Sequence, residues 1–130
     1  MNIGTTIENW HKLVRTRDAC GLDDLLAEDA VLYSPVVHAP QVGKAIAAMY
    51  LPAALNVFAN DTFRYVREVI GENDAVLEFE TEIDGIVING VDMIRWNDDG
   101  KITEFKVMVR PLKAINLIHQ KMAAMLSASQ

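Results

Sequence analysis

The apolar residues in the first half of the chain recur at helical spacing. Thr5 and Glu8 stand three residues apart, as in a capping box, and a first helix is predicted from there to about Asp18. Gly21 ends or bends this helix, and the leucines that follow predict a second, short one. A third helix is predicted around Pro52, which should kink or split it because proline removes a backbone donor. The apolar stripe of this third helix consists of Val42, Ile46 and Met49, and Leu55 and Phe58 are expected to continue its buried face.

Between the second and third predicted helices the pattern indicates one strand and one loop. Residues 30–34 are apolar enough for a strand, and Pro35 stops it because proline cannot donate to a sheet ladder. The stretch 36–42, which contains His38 and Pro40, is predicted to be a loop.

From residue 61 onward the apolar period changes from helical to two. A strand is predicted over 62–70, followed by a turn at 71–74 and by the clearest alternation in the chain. In the strand with this alternation, the inward positions are Leu77, Phe79, Thr81 and Ile83, and the positions that alternate with them are Glu78, Glu80, Glu82 and Asp84. One face of the strand is therefore predicted to be dry and the other acidic.

Two more strands and a closing helix complete the pattern. Strands are predicted over 91–96 and 101–110, and Asp84-Gly85 and Asn89-Gly90 before them are interpreted as two turns or a bulge. Pro111 suits the first position of a final helix. This order predicts an α+β fold in which helices pack on one face of a strongly curved, mostly antiparallel sheet that encloses a pocket. The strands from residue 62 onward are expected to form one antiparallel sheet.

Composition narrows the function classes. A chain of 130 residues that is 51% hydrophobic and 23% charged is predicted to fold as a single domain over residues 1–130. The net charge of −6 and the absence of any Lys/Arg run argue against nucleic acid and anionic membranes as partners. A single cysteine, Cys20, excludes an internal disulfide. The polar first residues do not read as a secretory signal, and no apolar run is long enough to span a membrane, so a cytoplasmic location is expected.

Neither a metal site nor a nucleotide cofactor is predicted. His11, His38 and His119 are far apart in the sequence, and no paired Cys/His spacing exists. The chain also lacks the glycine-rich loops that bind nucleotide phosphates. Any chemistry is therefore expected to be cofactor-free.

Asp92 is the leading candidate for a functional residue. It shares a strand face with Ile94 and Trp96, where alternation predicts apolar pocket lining, so an acid at this position is unusual. These three side chains are expected to point into one cavity, and the neighbours expected to point away are Val91, Met93 and Arg95. The alternative is that Asp92 accepts structural hydrogen bonds at the start of a strand.

His38 is the second catalytic candidate, because an imidazole titrates near neutral pH; the alternative is an exposed loop histidine without a role. The side chains predicted to line the ligand pocket are Trp10, Ser34, Met49, Phe79, Thr81, Ile94, Trp96, Phe105, Val107 and Val109. Trp10 also fits an ordinary core position, because it stands at helical spacing with other apolar residues. Tyr50, Arg64 and Tyr65 are further sources of polar contacts, without a rank among them.

The order of elements and several short motifs resemble the nuclear transport factor 2-like superfamily, and within it the SnoaL-like group of polyketide cyclases and ketosteroid isomerase. The motifs are AEDA at 27–30, Ser34-Pro35, VDMIRW at 91–96 and DGKI at 99–102. The resemblance covers nearly the whole chain and implies a cone-shaped pocket between a curved sheet and N-terminal helices. Members of the superfamily include isomerases, cyclases, dehydratases, epoxide hydrolases and non-catalytic binding modules, so the resemblance implies a fold and not one reaction.

The ketosteroid isomerase pattern maps onto three positions of this sequence. The resemblance places its general-base aspartate at Ser34, its hydrogen-bonding tyrosine at Trp10 and its protonated aspartic acid at Asp92. A serine cannot take a carbon-bound proton unaided, so this mapping disfavours classical steroid isomerisation. It leaves Asp92 as a proton donor or oxyanion stabiliser.

Two functions stay open at this point. The first is binding of a small, mostly apolar molecule with cofactor-free acid/base chemistry of the isomerase, cyclase or lyase type, carried by Asp92. The second is a non-catalytic ligand-binding or dimerisation module of the same fold, or a pocket filled by its own side chains. A homodimer through the outer sheet face is also expected, with a solvated monomer as the alternative. The residues expected on this face are Val91, Met93, Arg95, Glu104, Lys106, Met108 and Arg110. Glu78 and Glu80 of one subunit are expected to meet Lys106 or Arg110 of the other.

Overall fold

The computed structural model describes residues 5–128, in which a six-stranded sheet positions all other elements. The strands are β1 (Leu26–Tyr33), β2 (Gln41–Val42), β3 (Arg64–Ile70), β4 (Asp74–Ile83), β5 (Ile86–Trp96) and β6 (Ile102–Arg110). Their order across the sheet is β2-β1-β6-β5-β4-β3. Only β1 and β6 run parallel, and the other neighbouring pairs are antiparallel. This confirms the α+β class and the single antiparallel sheet expected from residue 62 onward.

Four helices accompany the sheet. They are α1 (Thr5–Thr16), α2 (Leu22–Leu25), α3 (Lys44–Phe58) and α4 (Leu112–Ala128), and a 3-10 turn over Ala19–Gly21 precedes α2. The first helix and the short second one match the predicted positions, and α4 begins directly after Pro111, where the sequence predicted the closing helix. Within residues 5–128, no helix is both long enough and apolar enough to cross a membrane.

The core lies between the helices and one face of the sheet. Along β4 the odd positions from Ala75 to Ile83 are buried while the even positions are half-buried or exposed, which follows from the two-residue period of a strand. The largest cluster of buried side chains includes Ile7, Trp10, Leu77, Ile94, Trp96 and Phe105. A second cluster consists of Phe58, Phe79, Ile83, Ile88, Ala114 and Ile118. Burial of each large apolar side chain contributes about 1.5–3 kcal/mol to stability.

The third helix differs from its predicted form. α3 continues through Pro52, because burial of leucines on either side outweighs the one backbone hydrogen bond that proline removes. Its buried stripe consists of Ala47, Leu51, Leu55 and Phe58. The predicted stripe of Val42, Ile46 and Met49 is therefore wrong, whereas its expected continuation at Leu55 and Phe58 is confirmed. Val42 lies on β2, before the helix begins. Met49 stands two residues from the buried positions on each side, which turns it about 200° away from them, and it is 48% exposed.

Three strand boundaries also differ from the sequence pattern. β1 begins earlier than predicted, because Leu26 already pairs with Ile102 on β6. Within the predicted loop 36–42, the last two residues form β2 and pair with β1. Asn89-Gly90 is not a turn, because β5 is continuous through both residues and pairs with β4 along its whole length. The turn between β4 and β5 is Asp84-Gly85, where both residues have positive φ angles of 52° and 80°.

Candidate functional site

An apolar cavity lies between α1, α3 and the inner face of the sheet. Its walls are formed by Trp10, Val14, Leu51, Ala54, Leu55, Phe58, Ala59, Phe63, Tyr65, Phe79, Asp92, Phe105 and Val107. Asp92 is the only acid or base among them apart from the tyrosine hydroxyl. The cavity has a volume of about 40 Å³, which is room for a few water molecules. We call this space the Asp92 cavity.

Asp92 faces the cavity because of its place on β5. It pairs with Leu77 on β4 and with Val107 on β6, so it lies on the inner face in the middle of the sheet. Its side chain is buried, with 6% of the residue exposed. Ile94 and Trp96 lie on the same face, and they pack in the core rather than in the cavity wall. As the alternation predicts, Val91, Met93 and Arg95 are not buried.

Two hydrogen bonds connect α1 to Asp92. The indole Nε1 of Trp10 donates to the hydroxyl oxygen of Tyr65 at 2.9 Å, and the Tyr65 hydroxyl donates to Oδ2 of Asp92 at 2.7 Å. Each donor therefore points toward the carboxyl group. Among residues 5–128, no side chain or backbone group hydrogen-bonds to the other carboxyl oxygen, Oδ1. Oδ1 is thus the atom of Asp92 that is available to a ligand.

Burial changes the acid strength of both groups. Loss of solvation raises the pKa of Asp92 from 3.8 to about 7, against the opposing effect of the Tyr65 hydrogen bond. Burial, together with the nearby charge of Asp92, raises the pKa of the Tyr65 hydroxyl well above its usual value. Tyr65 therefore keeps its proton and remains a donor, while Asp92 can gain or lose a proton near neutral pH.

A second apolar chamber adjoins the Asp92 cavity. It has a volume of about 210 Å³ and lies between α3, α4 and the end of β1. Both spaces share the wall residues Leu51, Ala54, Phe58 and Val107. Ser34 lines this second chamber, and its Oγ accepts a hydrogen bond from the backbone N–H of Val36 at 3.2 Å. We call this space the α4 chamber.

The remaining sequence candidates are distributed over several environments. Trp10, Phe79, Phe105 and Val107 line the Asp92 cavity. Thr81 is buried away from the cavity, with its hydroxyl 3.2 Å from the carbonyl oxygen of Phe58. His38 is exposed and borders a surface depression that Val109 also lines, and neither residue belongs to the wall of the Asp92 cavity. Met49 is on the exposed side of α3. In the described part of the chain, no three His, Cys, Asp or Glu side chains are grouped so as to hold a metal ion.

Tyr65 is the residue of the candidate site that sequence reasoning did not rank. One signal was present: Phe63 and Tyr65 stand two residues apart, so both rings lie on one side of an extended chain. Their position over the cavity depends on the pairing of Tyr65 with Phe79 across β3 and β4. That register is a property of the assembled sheet. Of the wall residues from α3, Leu55 and Phe58 were expected on the buried face of the helix but not in a pocket wall. Leu51 and Ala54 were missed because the rest of the predicted stripe was wrong.

A family model matches most of the chain. The model of a SnoaL-like domain matches residues 7–105, which include most of α1, the whole of β5 and Asp92. Among curated proteins, none matches significantly.

Several solved structures are similar to this chain over most of its length. A steroid delta-isomerase from Pseudomonas aeruginosa is 37% identical, with 98% of this chain and 93% of that chain covered and a TM-score of 0.92. An uncharacterised protein with a cystatin-like fold from Silicibacter pomeroyi is 31% identical over 92% of this chain and 83% of that chain, with a TM-score of 0.83. A nuclear transport factor 2-like protein of unknown function from Mesorhizobium loti is 19% identical over 84% and 91%, with a TM-score of 0.73, and supports the fold alone.

Proposed function

The chain belongs to the SnoaL-like domain family within the nuclear transport factor 2-like superfamily, and from this membership we propose that it binds a small, mostly apolar molecule beside Asp92 and transfers protons on it without a cofactor. One observation carries the proposal: a carboxyl group with a pKa of about 7 presents a free oxygen to an otherwise apolar cavity. Such a group is costly to bury and is typical of sites that carry acid/base chemistry.

Asp92 can serve as both acid and base in turn. In its protonated form it donates a hydrogen bond or a proton to a ligand oxygen, and in its ionised form it accepts a proton from the ligand. The hydrogen bond from Tyr65 stabilises the ionised form and holds the carboxyl plane in place. Isomerase, cyclase and lyase reactions all need such a transfer, in which a proton leaves one position of the substrate and reaches another.

Among the residues that line the Asp92 cavity, only Asp92 carries a carboxyl group, which limits the reactions that the site can carry out. Ser34 lies in the neighbouring α4 chamber, and no titratable partner of its hydroxyl occurs among the described residues. His119 also lines this chamber, but it is exposed. A reaction that needs a second buried carboxylate as its base is therefore disfavoured. The similarity to a steroid delta-isomerase supports a ligand-binding cavity of this kind, and we propose that Asp92 alone carries the proton.

The size of the cavity implies a movement of its shared wall. A site for a drug-sized ligand usually has a volume of about 300–1,000 Å³, far more than the 40 Å³ beside Asp92. Together with the adjoining α4 chamber, of about 210 Å³, the space approaches the lower end of that range when the shared wall opens. We therefore propose that the ligand extends from Asp92 into this chamber.

Binding can be tested with the neutral fluorescent probe phenylnaphthylamine. Ala54 lines both spaces, so Ala54→Trp should fill them and weaken probe binding about tenfold or more. Ala45→Trp is the matched control, because Ala45 is on the exposed side of the same helix. Fluorescence titration measures both affinities. Equal binding by the two variants would place the probe elsewhere and contradict the proposed site.

We further propose that two copies associate through the outer face of the sheet. Val76 pairs with Met93, and Val91 pairs with Met108, so apolar side chains lie side by side on this face. Charged residues flank them, as in an isologous interface.

The dimer predicts a mass of about twice the 14.5 kDa of one chain at micromolar concentration. Met93→Glu combined with Met108→Glu should reduce the mass to that of a single chain, because four buried carboxylates would face each other across the two-fold axis. Leu112→Glu serves as the control at an exposed apolar position outside the sheet. Sedimentation equilibrium measures the masses, and a dimer that persists in the double variant would exclude this interface.

A further inference from the structure

A polar groove opens on the far side of the wall that encloses Asp92. It has a volume of about 470 Å³ and lies between the end of α1, the segment after α3 and the start of β3. The groove and the Asp92 cavity share four wall residues, which are Val14, Ala59, Phe63 and Tyr65. The polar residues of the groove are His11, Arg15, Arg17, Asn60, Asp61, Arg64 and Glu68.

The charge of this groove differs from that of the protein as a whole. The chain carries a net charge of −6, yet three arginines line the groove against two carboxylates. Arg17 Nη2 contacts Asp61 Oδ1 at 2.6 Å, and Arg64 Nη2 contacts Glu80 Oε1 at 2.7 Å. His11 Nε2 lies 2.9 Å from Glu68 Oε2. Arg15 forms no ion pair with any other residue in the described range 5–128.

The paired arginines keep hydrogen-bonding capacity. Each uses Nη2 on its carboxylate partner, and a guanidinium group has further N–H donors in the same plane. Both side chains are about half exposed or more, so these donors face the solvent of the groove. Together with the unpaired Arg15, they form a surface that attracts an anion.

Tyr65 connects the groove to the reactive carboxyl group. Its hydroxyl donates to Asp92 inside the cavity, while its ring packs against the His11 ring, with centroids 5.5 Å apart, at the floor of the groove. Of the four shared wall residues, Tyr65 is the one that contacts both the acid and a groove residue. A ligand that passes this wall can reach both.

We propose that the groove is the outer part of the binding site and selects ligands that carry an acidic group on an apolar body, with the acidic oxygens held by Arg15 and its neighbours. This inference rests on the proposed function, because it assigns the apolar body to the Asp92 cavity. The repulsion between an anion and a protein of net charge −6 is overcome locally by the arginines, and the effect weakens as salt screens the charges.

Two probes with the same ring system distinguish apolar binding in the Asp92 cavity from anion binding in the groove. Anilinonaphthalene sulfonate carries an acidic group, and phenylnaphthylamine is its neutral counterpart. We expect the sulfonate to bind the wild-type protein more tightly at low ionic strength. Arg15→Glu should weaken sulfonate binding about tenfold and change phenylnaphthylamine binding less than about twofold. Lys113→Glu, an exposed charge reversal on α4, is the control for net charge.

Each outcome decides one of the proposals. Suppose that phenylnaphthylamine binds the wild type and that Ala54→Trp blocks this binding, while Arg15→Glu leaves the affinity for the sulfonate unchanged. The groove is then not an anion site, and the proposed function stands. If Lys113→Glu weakens sulfonate binding as much as Arg15→Glu, the preference comes from overall charge, and the groove is again excluded. If neither probe binds the wild-type protein, the proposed function itself fails.

Discussion

Asp92→Asn is expected to stabilise the protein increasingly as the pH rises. The folded protein holds a proton on Asp92 between pH 3.8 and about 7, whereas the unfolded chain has already released it. Raising the pH through this window therefore lowers the free energy of unfolding of the wild-type protein. Asparagine has the same shape and still accepts the Tyr65 hydrogen bond, but it does not ionise. The rise of the pKa from 3.8 to about 7 is equivalent to about 4 kcal/mol at most.

Urea unfolding at a series of pH values measures this effect. Near pH 4 the two proteins should differ little, and by about pH 8 the variant should be more stable by a few kcal/mol. Subtracting the two curves removes the contribution of every group that they share. Asp98→Asn is the control, because it makes the same change from carboxylate to amide at an exposed position outside the cavity. Parallel curves for Asp92→Asn and the wild type would show that Asp92 titrates as an ordinary carboxyl group.

The same variant separates stability from function. Burial raises the pKa of Asp92, and this lowers the stability of the folded protein above neutral pH. The same raised pKa keeps a proton on Asp92 that a ligand can receive near neutral pH. A variant that gains stability should therefore lose any proton transfer. This opposition is typical of residues retained for activity rather than for folding.

The sequence predicted the parts of this site that depend on local periodicity. The alternation along β4 and β5 placed Asp92 on the inner face, and the order of helices and strands predicted the architecture around it. A strand fixes the face of each side chain by position alone. That is why an acid among inward-facing apolar residues could be recognised without a structure.

The parts that depend on pairing between distant elements were not predictable. The bond from Trp10 to Tyr65 joins residues 55 positions apart, and that from Tyr65 to Asp92 joins residues 27 positions apart. Neither spacing has a local signature. The division of the interior into two spaces depends on a shared wall to which Phe58 of α3 and Val107 of β6 contribute. Phe58 was expected on the buried face of α3, but its packing against the sheet has no local signature in the sequence.

The role of Gly90 also depends on pairing between distant elements and could not be predicted from the sequence. Its replacement by alanine is the last substitution for which we expect a large effect. Asn89-Gly90 has the composition of a hairpin turn, but Gly90 lies within β5, opposite Phe79 on β4 and Val109 on β6. A Cβ at this position would lie 2.5 Å from Cζ of Phe79 and 2.7 Å from the carbonyl oxygen of Met108. Glycine is required here because an aromatic ring covers the strand, not because the backbone turns.

Gly90→Ala is therefore expected to destabilise the protein by about 1–3 kcal/mol, as overpacking does in a filled core. The Met108 carbonyl belongs to the β5–β6 ladder and cannot withdraw. Phe79 cannot turn freely either, because its ring packs against the rings of Phe58 and Phe63, with centroids 5.5 and 5.2 Å away. Since Phe79 lines the Asp92 cavity, a displaced ring should also weaken binding of phenylnaphthylamine.

Gly21→Ala is the matched control for this substitution. Its added Cβ would meet only Cδ2 of Leu13, at an ordinary contact distance of 3.9 Å, and the φ angle of −91° suits alanine. Urea unfolding should show a change within about 0.5 kcal/mol for this variant. If Gly90→Ala unfolded at the same urea concentration as the control, Phe79 would not press on β5, and the wall of the Asp92 cavity would need a different arrangement.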